Sequence, residues 1–184
     1  MSNEPLVSQL MTHEVAFVRP ETRLVEAGRL MREMHVSGLP VVGQDERVIG
    51  VVSEWDLIRS VDGATGVSNP RGLLDLLLES APERGRSLFE VCRHRLENGY
   101  VRDVMTSPAI TVSPTMTAGE AARSLVNESV RRLPVVNDNG KLVGILTHID
   151  LIRGDLPPEK RRRGALHPHA RASRAARGDP YADV

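Results

Sequence analysis

Leu39-Pro40-Val41-Val42 is followed by Asp56-Leu57-Ile58-Arg59, and the same two tetrads return, equally spaced, as Leu133-Pro134-Val135-Val136 and Asp150-Leu151-Ile152-Arg153. An offset of 94 residues also aligns Met11-Thr12 with Met105-Thr106, Pro20 with Pro114, Glu26-Ala27 with Glu120-Ala121 and Gly50 with Gly144, without a gap. Roughly a third of the aligned positions are identical, so a unit of domain size has been duplicated. Within each copy a short extended segment (Val15–Val18, Ala109–Val112) ends near a proline. A helix then follows. In the second copy Thr117 caps it with Glu120 reaching back, and Ala118, Ala121, Ala122, Leu125 and Val126 fall on one face. Leu24, Ala27, Met31 and Met34 form the matching stripe, whose methionines read as core.

LPVV reads as a buried strand that starts with a proline, where a missing N–H is tolerated. Asp138-Asn139-Gly140 predicts a tight turn, and Lys141–Leu146 returns as the partner strand. Gly50 and Gly144, inside these return strands, mark either a place where something approaches the backbone closely or an ordinary packing contact. A last helix starts near Ser53 and Thr147. The unit is β-α-β-β-α.

The chain of 184 residues is 40% hydrophobic and 26% charged, the balance of a soluble globular protein. No run approaches the roughly 18 apolar residues of a membrane span, and the opening residues lack the pattern of a signal peptide. A cytoplasmic setting is expected. The single Cys92 forms no internal disulfide and fits a reducing compartment. No activated nucleophile, Walker-type phosphate loop or metal-ligand spacing stands out, so catalysis and a catalytic cofactor are not expected.

The order Met-Thr, short strand, proline, Thr-x-x-Glu-Ala helix, LPVV, hairpin and [Ser/Thr]-x-x-Asp resembles the CBS domain, named for cystathionine β-synthase. The resemblance covers about residues 5–60 and 99–155. It implies a mixed α/β (α+β) fold of two β-α-β-β-α repeats packed about a pseudo-two-fold axis. The expected boundaries are 1–60 for the first repeat, 61–98 for an inserted loop and helical linker, 99–155 for the second repeat and 156–184 for a tail. It also implies two clefts at the repeat junction that bind an adenosine nucleotide such as AMP, ADP or ATP, or S-adenosylmethionine, as a regulatory ligand. Carried over residue by residue, one cleft uses Thr147 and Asp150 with Thr12, Ala16, Ser37 and Gly38, and has His148 nearby. The other uses Ser53 and Asp56 with Thr106, Ile110, Arg131 and Arg132. The implied assembly is a homodimer that signals ligand occupancy to a protein target.

The chemistry of these residue types fits that use. An aspartate accepts hydrogen bonds from both ribose hydroxyls, a neighbouring Ser or Thr offers an O–H, and arginine forks suit phosphate. [Ser/Thr]-x-x-Asp is equally a helix-capping box, and paired arginines are equally a solvated edge. A structural or partner-binding pair with vacant clefts is therefore one alternative.

Two regions fall outside the repeat. Leu73, Leu74, Leu76, Leu77 and Leu78 predict a helix, and Leu88, Phe89, Val91 and Leu96 another, with Cys92 and His94 on it in structural roles. The tail from Leu156 carries seven basic and three acidic residues and is predicted disordered. Its Lys160–Arg163 run makes nucleic-acid binding through the tail the second alternative.

Overall fold

The structure, a computed structural model, describes residues 4–61 and 93–154. In chain order the elements are α1 (Val7–Leu10), α2 (Leu24–Glu33), β1 (Gly38–Val42), β2 (Val48–Ser53), α3 (Glu54–Val61), a helical stretch over residues 93–98 and a 3-10 turn (Val101–Asp103). The chain continues with α4 (Ala118–Asn127), β3 (Arg132–Val136), β4 (Leu142–Thr147) and α5 (His148–Gly154). The helix-hairpin-helix order repeats as expected. The expected extended segments shrink to single parallel bridges, Val18 to Val41 and Val112 to Val135. The leucine helix near residues 73–78, Cys92 and the basic tail lie outside the described residues.

The chain folds into two compact units, and each combines parts of both repeats. The second-repeat unit takes residues up to Ala16 together with those from Ile110 on, and the first-repeat unit takes Phe17–Ala109. In the second-repeat unit, Thr12 N–H donates to Ile145 O and Ile145 N–H returns to Thr12 O, both at 2.9 Å. Met11-Thr12 thus adds a bridge to the edge of β4. In the first-repeat unit Met105-Thr106 does the same on β2, with Thr106 N–H to Val51 O at 2.9 Å and Val51 N–H to Thr106 O at 3.0 Å.

These additions explain the strand glycines. A Cβ on Gly144 would lie 2.5 Å from Met11 Sδ and 3.0 Å from Thr12 O. One on Gly50 would lie 2.9 Å from both Met105 Sδ and Thr106 O. The close approach is therefore the chain's own Met-Thr segment.

The hairpins share one register. Gly38 faces Ser53 and Pro40 faces Val51, as Arg132 faces Thr147 and Pro134 faces Ile145. The prolines stand in mid-strand, not at the start as expected. Pro40 O accepts from Val18 N–H at 3.0 Å and Pro134 O from Val112 N–H at 3.1 Å. A strand residue points its N and O to the same side, so each missing N–H falls on the sparsely bonded outer edge. The turns match as well. Gly140 takes φ 75° after Asn137, and Glu46 takes φ 65° in the equivalent place, where its carboxylate pairs with Arg19 at 2.5 Å.

Both long helices end in the same left-handed cap. His35 (φ 52°) and Ser129 (φ 54°) follow them, and the next residue donates back across the last turn, Val36 N–H to Met31 O at 2.9 Å and Val130 N–H to Leu125 O at 3.1 Å. This is the Schellman arrangement, with non-glycine residues in the left-handed position. At the other end α4 carries the predicted capping box, with Thr117 N–H to Glu120 Oε2 at 2.9 Å. In α2 Arg23 replaces the threonine and lays its guanidinium 4.2 Å over the Tyr100 ring, with Arg102 at 4.4 Å from the same ring.

Val7, Val112, Ala121, Leu125, Leu133, Val135 and Leu146 form the core of the second-repeat unit. Leu24, Ala27, Met31, Leu39, Val41, Val52 and Leu57 are buried in the first-repeat unit. Val126, expected on the buried stripe, is instead 76% exposed. The buried edge of α4 is narrow, set by Ala121 and Leu125, and a residue at the margin of a wide stripe is left outside.

Candidate functional site

Each unit carries one hydroxyl-carboxylate pair where the return strand passes into the last helix. In the second-repeat unit Asp150 Oδ2 accepts from Thr147 N–H at 2.8 Å and from Thr147 Oγ1 at 2.6 Å. In the first-repeat unit Asp56 Oδ2 accepts from Ser53 N–H at 2.8 Å and from Ser53 Oγ at 2.6 Å. Asp56 and Asp150 N–H each lie 3.4 Å from the partner hydroxyl. The capping box foreseen in the sequence is thus formed in both copies.

One oxygen does all of this capping. Among the described residues Oδ1 of Asp56 and of Asp150 accepts no hydrogen bond. Both aspartates are half-buried, as are Ser53 and Thr147. A carboxylate held by Oδ2 and open at Oδ1 is a fixed acceptor whose orientation is already set.

The residues around each pair differ. Arg132 is the register partner of Thr147, and side chains directly opposite in an antiparallel pair stand on one face. His148 N–H donates to Arg131 O at 3.4 Å, and His148 Nδ1 lies 3.4 Å from that same oxygen. Gly38 takes Arg132's place opposite Ser53, and Glu54 N–H donates to Ser37 O at 3.2 Å. Glu54, aligned with the exposed His148, is 7% exposed.

The remaining predicted residues divide by unit. Thr12, Ala16, Ile110, Arg131, Arg132, Thr147, His148 and Asp150 belong to the second-repeat unit. Ser37, Gly38, Ser53, Asp56 and Thr106 belong to the first-repeat unit. Thr12 and Thr106 take part through their backbone bridges, and Ile110 packs against the second-repeat core. Glu54 was not singled out in the sequence. Its signal is a carboxylate at the position where the other copy has His148.

No group of three or more metal-ligating side chains occurs among the described residues. Nor is any of their helices long and apolar enough to cross a membrane.

The CBS-domain family model matches residues 7–63 and 101–156. This chain belongs to the CBS-domain family. As a tandem pair it is similar to protein MJ1426 of Methanocaldococcus jannaschii, with 34% identity over 152 residues that cover 80% of this chain and 89% of that one. It is also similar to CBSX2 of Arabidopsis thaliana, whose crystal structure in complex with AMP aligns with 31% identity and a TM-score of 0.60, covering 80% of this chain and 94% of that one. The CBS domain of a membrane protein from Sphaerobacter thermophilus aligns with a TM-score of 0.68 at 25% identity, over 83% and 89% of the two chains. Its helices and two small antiparallel sheets are those of a CBS pair.

Proposed function

We propose that this CBS pair is a regulatory module that binds an adenosine nucleotide or related adenosyl compound through its two hydroxyl-aspartate pairs and has no catalysis of its own. The observation that carries the reading is the doubled carboxylate, fixed by Oδ2 and open at Oδ1 in both copies. An acceptor of that kind suits the vicinal hydroxyls of a ribose. The AMP held by CBSX2 supports the ligand class. Thr12, Ala16, Ser37, Gly38, Thr106, Ile110, Arg131, Arg132 and His148 are the proposed lining.

A vacant scaffold is the second reading, because the Oδ2 bonds alone already account for the aspartates as caps. In either reading we place the protein as a homodimer. Trp55 on α3 and Ile149 and Ile152 on α5 are 42%, 42% and 61% exposed, and such side chains favour an interface. Light scattering at micromolar concentration should return twice the chain mass of 20.2 kDa.

The deciding experiment is thermal. A ligand present at 100 times its dissociation constant adds about 2.7 kcal/mol, which raises Tm by roughly 5–10 °C for a chain of this size. One of AMP, ADP, ATP or S-adenosylmethionine should do so, and the Asp56→Ala/Asp150→Ala double variant should not respond. A folded double variant that responds like the wild type would place binding elsewhere. No response from the ligand-stripped wild type to any of the four would favour the vacant scaffold.

A further inference from the structure

The chain entering the long helix keeps its backbone pattern in both repeats and changes its chemistry. Leu6 bridges Thr117 in the second-repeat unit, and at the same 94-residue offset Tyr100 bridges Arg23 in the first. Leu24 N–H to Gly99 O at 3.0 Å and Val101 N–H to Thr22 O at 2.9 Å pin the chain on either side of the Tyr100 bridge. Ser8 of one copy is Arg102 in the other. A leucine, a threonine and a serine thus give way to an aromatic ring with the Arg23 guanidinium 4.2 Å and the Arg102 guanidinium 4.4 Å from its centre. The second copy builds the same bridge without these cations, so the repeat fold does not require them. The two guanidinium carbons lie within 8.6 Å of each other, the sum of their distances to the one ring centre. The carboxylates beside them are engaged with backbone donors: Glu26 Oε2 accepts from Arg23 N–H at 3.3 Å and Asp103 Oδ2 from Tyr100 N–H at 3.1 Å, with Asp103 Oδ1 3.8 Å from Arg102 Nε. Arg23 Nη1 donates to Asn98 O at 2.7 Å. Among the described residues Nε and Nη2 of Arg23, both terminal nitrogens of Arg102 and the Tyr100 hydroxyl have no acceptor. Arg102 is exposed and the other two are half-buried, so the cluster stands at the surface.

We propose that Arg23, Tyr100 and Arg102 form a surface site for a small phosphate, as free orthophosphate or as the terminal group of a monoester. The site lies within the first-repeat unit alone, and none of its residues belongs to the lining of the aspartate pairs. The ring is the organising element. Its electron-rich face attracts both guanidiniums and keeps two like charges close together before any anion arrives. A tetrahedral oxyanion accepts from several donors at once, at about 2.7–2.9 Å from a charged N–H, and two planar forks beside a phenol O–H supply them. A dianion also offsets the repulsion between the two cations.

The test is a nuclear magnetic resonance titration of the full chain with orthophosphate and, separately, with methyl phosphate, against sodium chloride at matched ionic strength. The Nε–H signals of Arg23 and Arg102 and the ring signals of Tyr100 should shift saturably with phosphate and not with chloride. The readout is local to these three side chains, so phosphate held near the aspartates does not imitate it. Arg23→Gln and Arg102→Gln should each weaken phosphate binding roughly five-fold or more, and the corresponding lysine variants, which keep the charge and lose the fork, should recover only part of that loss. Tyr100→Phe keeps the stack and drops the hydroxyl, so it should cost a few-fold in affinity. Where a glutamine variant loosens the bridge, seen as faster hydrogen exchange at the Leu24 and Val101 amides, the lysine variant supplies the reading. Tighter binding of methyl phosphate supports the site as one for monoesters, and tighter binding of orthophosphate supports it as one for the free anion. Shifts that chloride reproduces, or a phosphate affinity that the glutamine variants retain, would overturn the site.

Discussion

Replacing Gly144 by alanine tests the way Met11-Thr12 joins the second-repeat unit. The new Cβ would stand 2.5 Å from Met11 Sδ and 3.0 Å from Thr12 O. The sulfur ends a flexible side chain and can swing away. The carbonyl cannot, because Thr12 exchanges two 2.9 Å backbone bonds with Ile145. Relief therefore has to stretch or break that bridge. Net backbone bonds contribute about 0.5–1.5 kcal/mol each, and an added methyl in a packed site costs about 1–3 kcal/mol. The expected loss is about 1–3 kcal/mol, which lowers Tm by roughly 2–12 °C for a chain of this length. Hydrogen exchange should show faster exchange at the Thr12 and Ile145 amides than in the wild type.

Gly119→Ala is the control for that experiment. Its Cβ would meet only the carboxylate end of Glu4, a flexible side chain whose bond from Gly119 N–H at 2.6 Å would have to shift, while alanine is the better helix former by about 1 kcal/mol, so the two effects offset and stability should change little. The reasoning fails if Gly144→Ala melts within about 1 °C of the wild type with both amides still protected.

Ser129→Gly should raise stability by about 0.5–1 kcal/mol in denaturant titration, because glycine enters the left-handed cap at φ 54° without the Cβ penalty. Gly140→Ala should lose about 1 kcal/mol by the same measurement, since it places a Cβ at φ 75° in the β3–β4 turn. Hydrogen bonds from the Thr117 backbone and hydroxyl hold the Glu120 carboxyl below its ordinary value, with a smaller effect from Arg123. A depressed folded-state value contributes stability above the unfolded value and loses it as pH falls through the folded one. Wild type should therefore exceed Glu120→Gln at neutral pH, and the two unfolding midpoints should converge on acidification through the carboxylate range.

The repeat was legible because duplication doubles every weak signal. LPVV, the hairpin glycine and the Thr117 cap each have rival explanations alone, and their recurrence at one offset removes most of them. The exchange of first segments was not legible in the local pattern and was implied only by the resemblance, which grouped Thr12 with Thr147 and Thr106 with Ser53. Nothing local tells Met11-Thr12 to bridge Ile145 in the other repeat, because strand addition is decided by which edge is open, a tertiary property. The mid-strand prolines were misplaced for the same reason, as the sequence does not say which side of LPVV lacks a partner. Likewise [Ser/Thr]-x-x-Asp identified the paired aspartates, but only the geometry divides the work between Oδ2, which caps, and Oδ1, which stays open. Arg132 stood out in the sequence as a candidate phosphate contact, and its place opposite Thr147 came from the register.

Calorimetric titration with AMP and its 2′,3′-dideoxy analogue, on wild type and on Asp56→Ala/Asp150→Ala, tests most directly whether these aspartates hold a ribose. The wild type should prefer AMP by roughly 10- to 150-fold, the range for hydrogen bonds to a charged acceptor, and the folded double variant should lose that preference. Equal affinity of the wild type for the two ligands, or an undiminished preference in the double variant, would contradict the account.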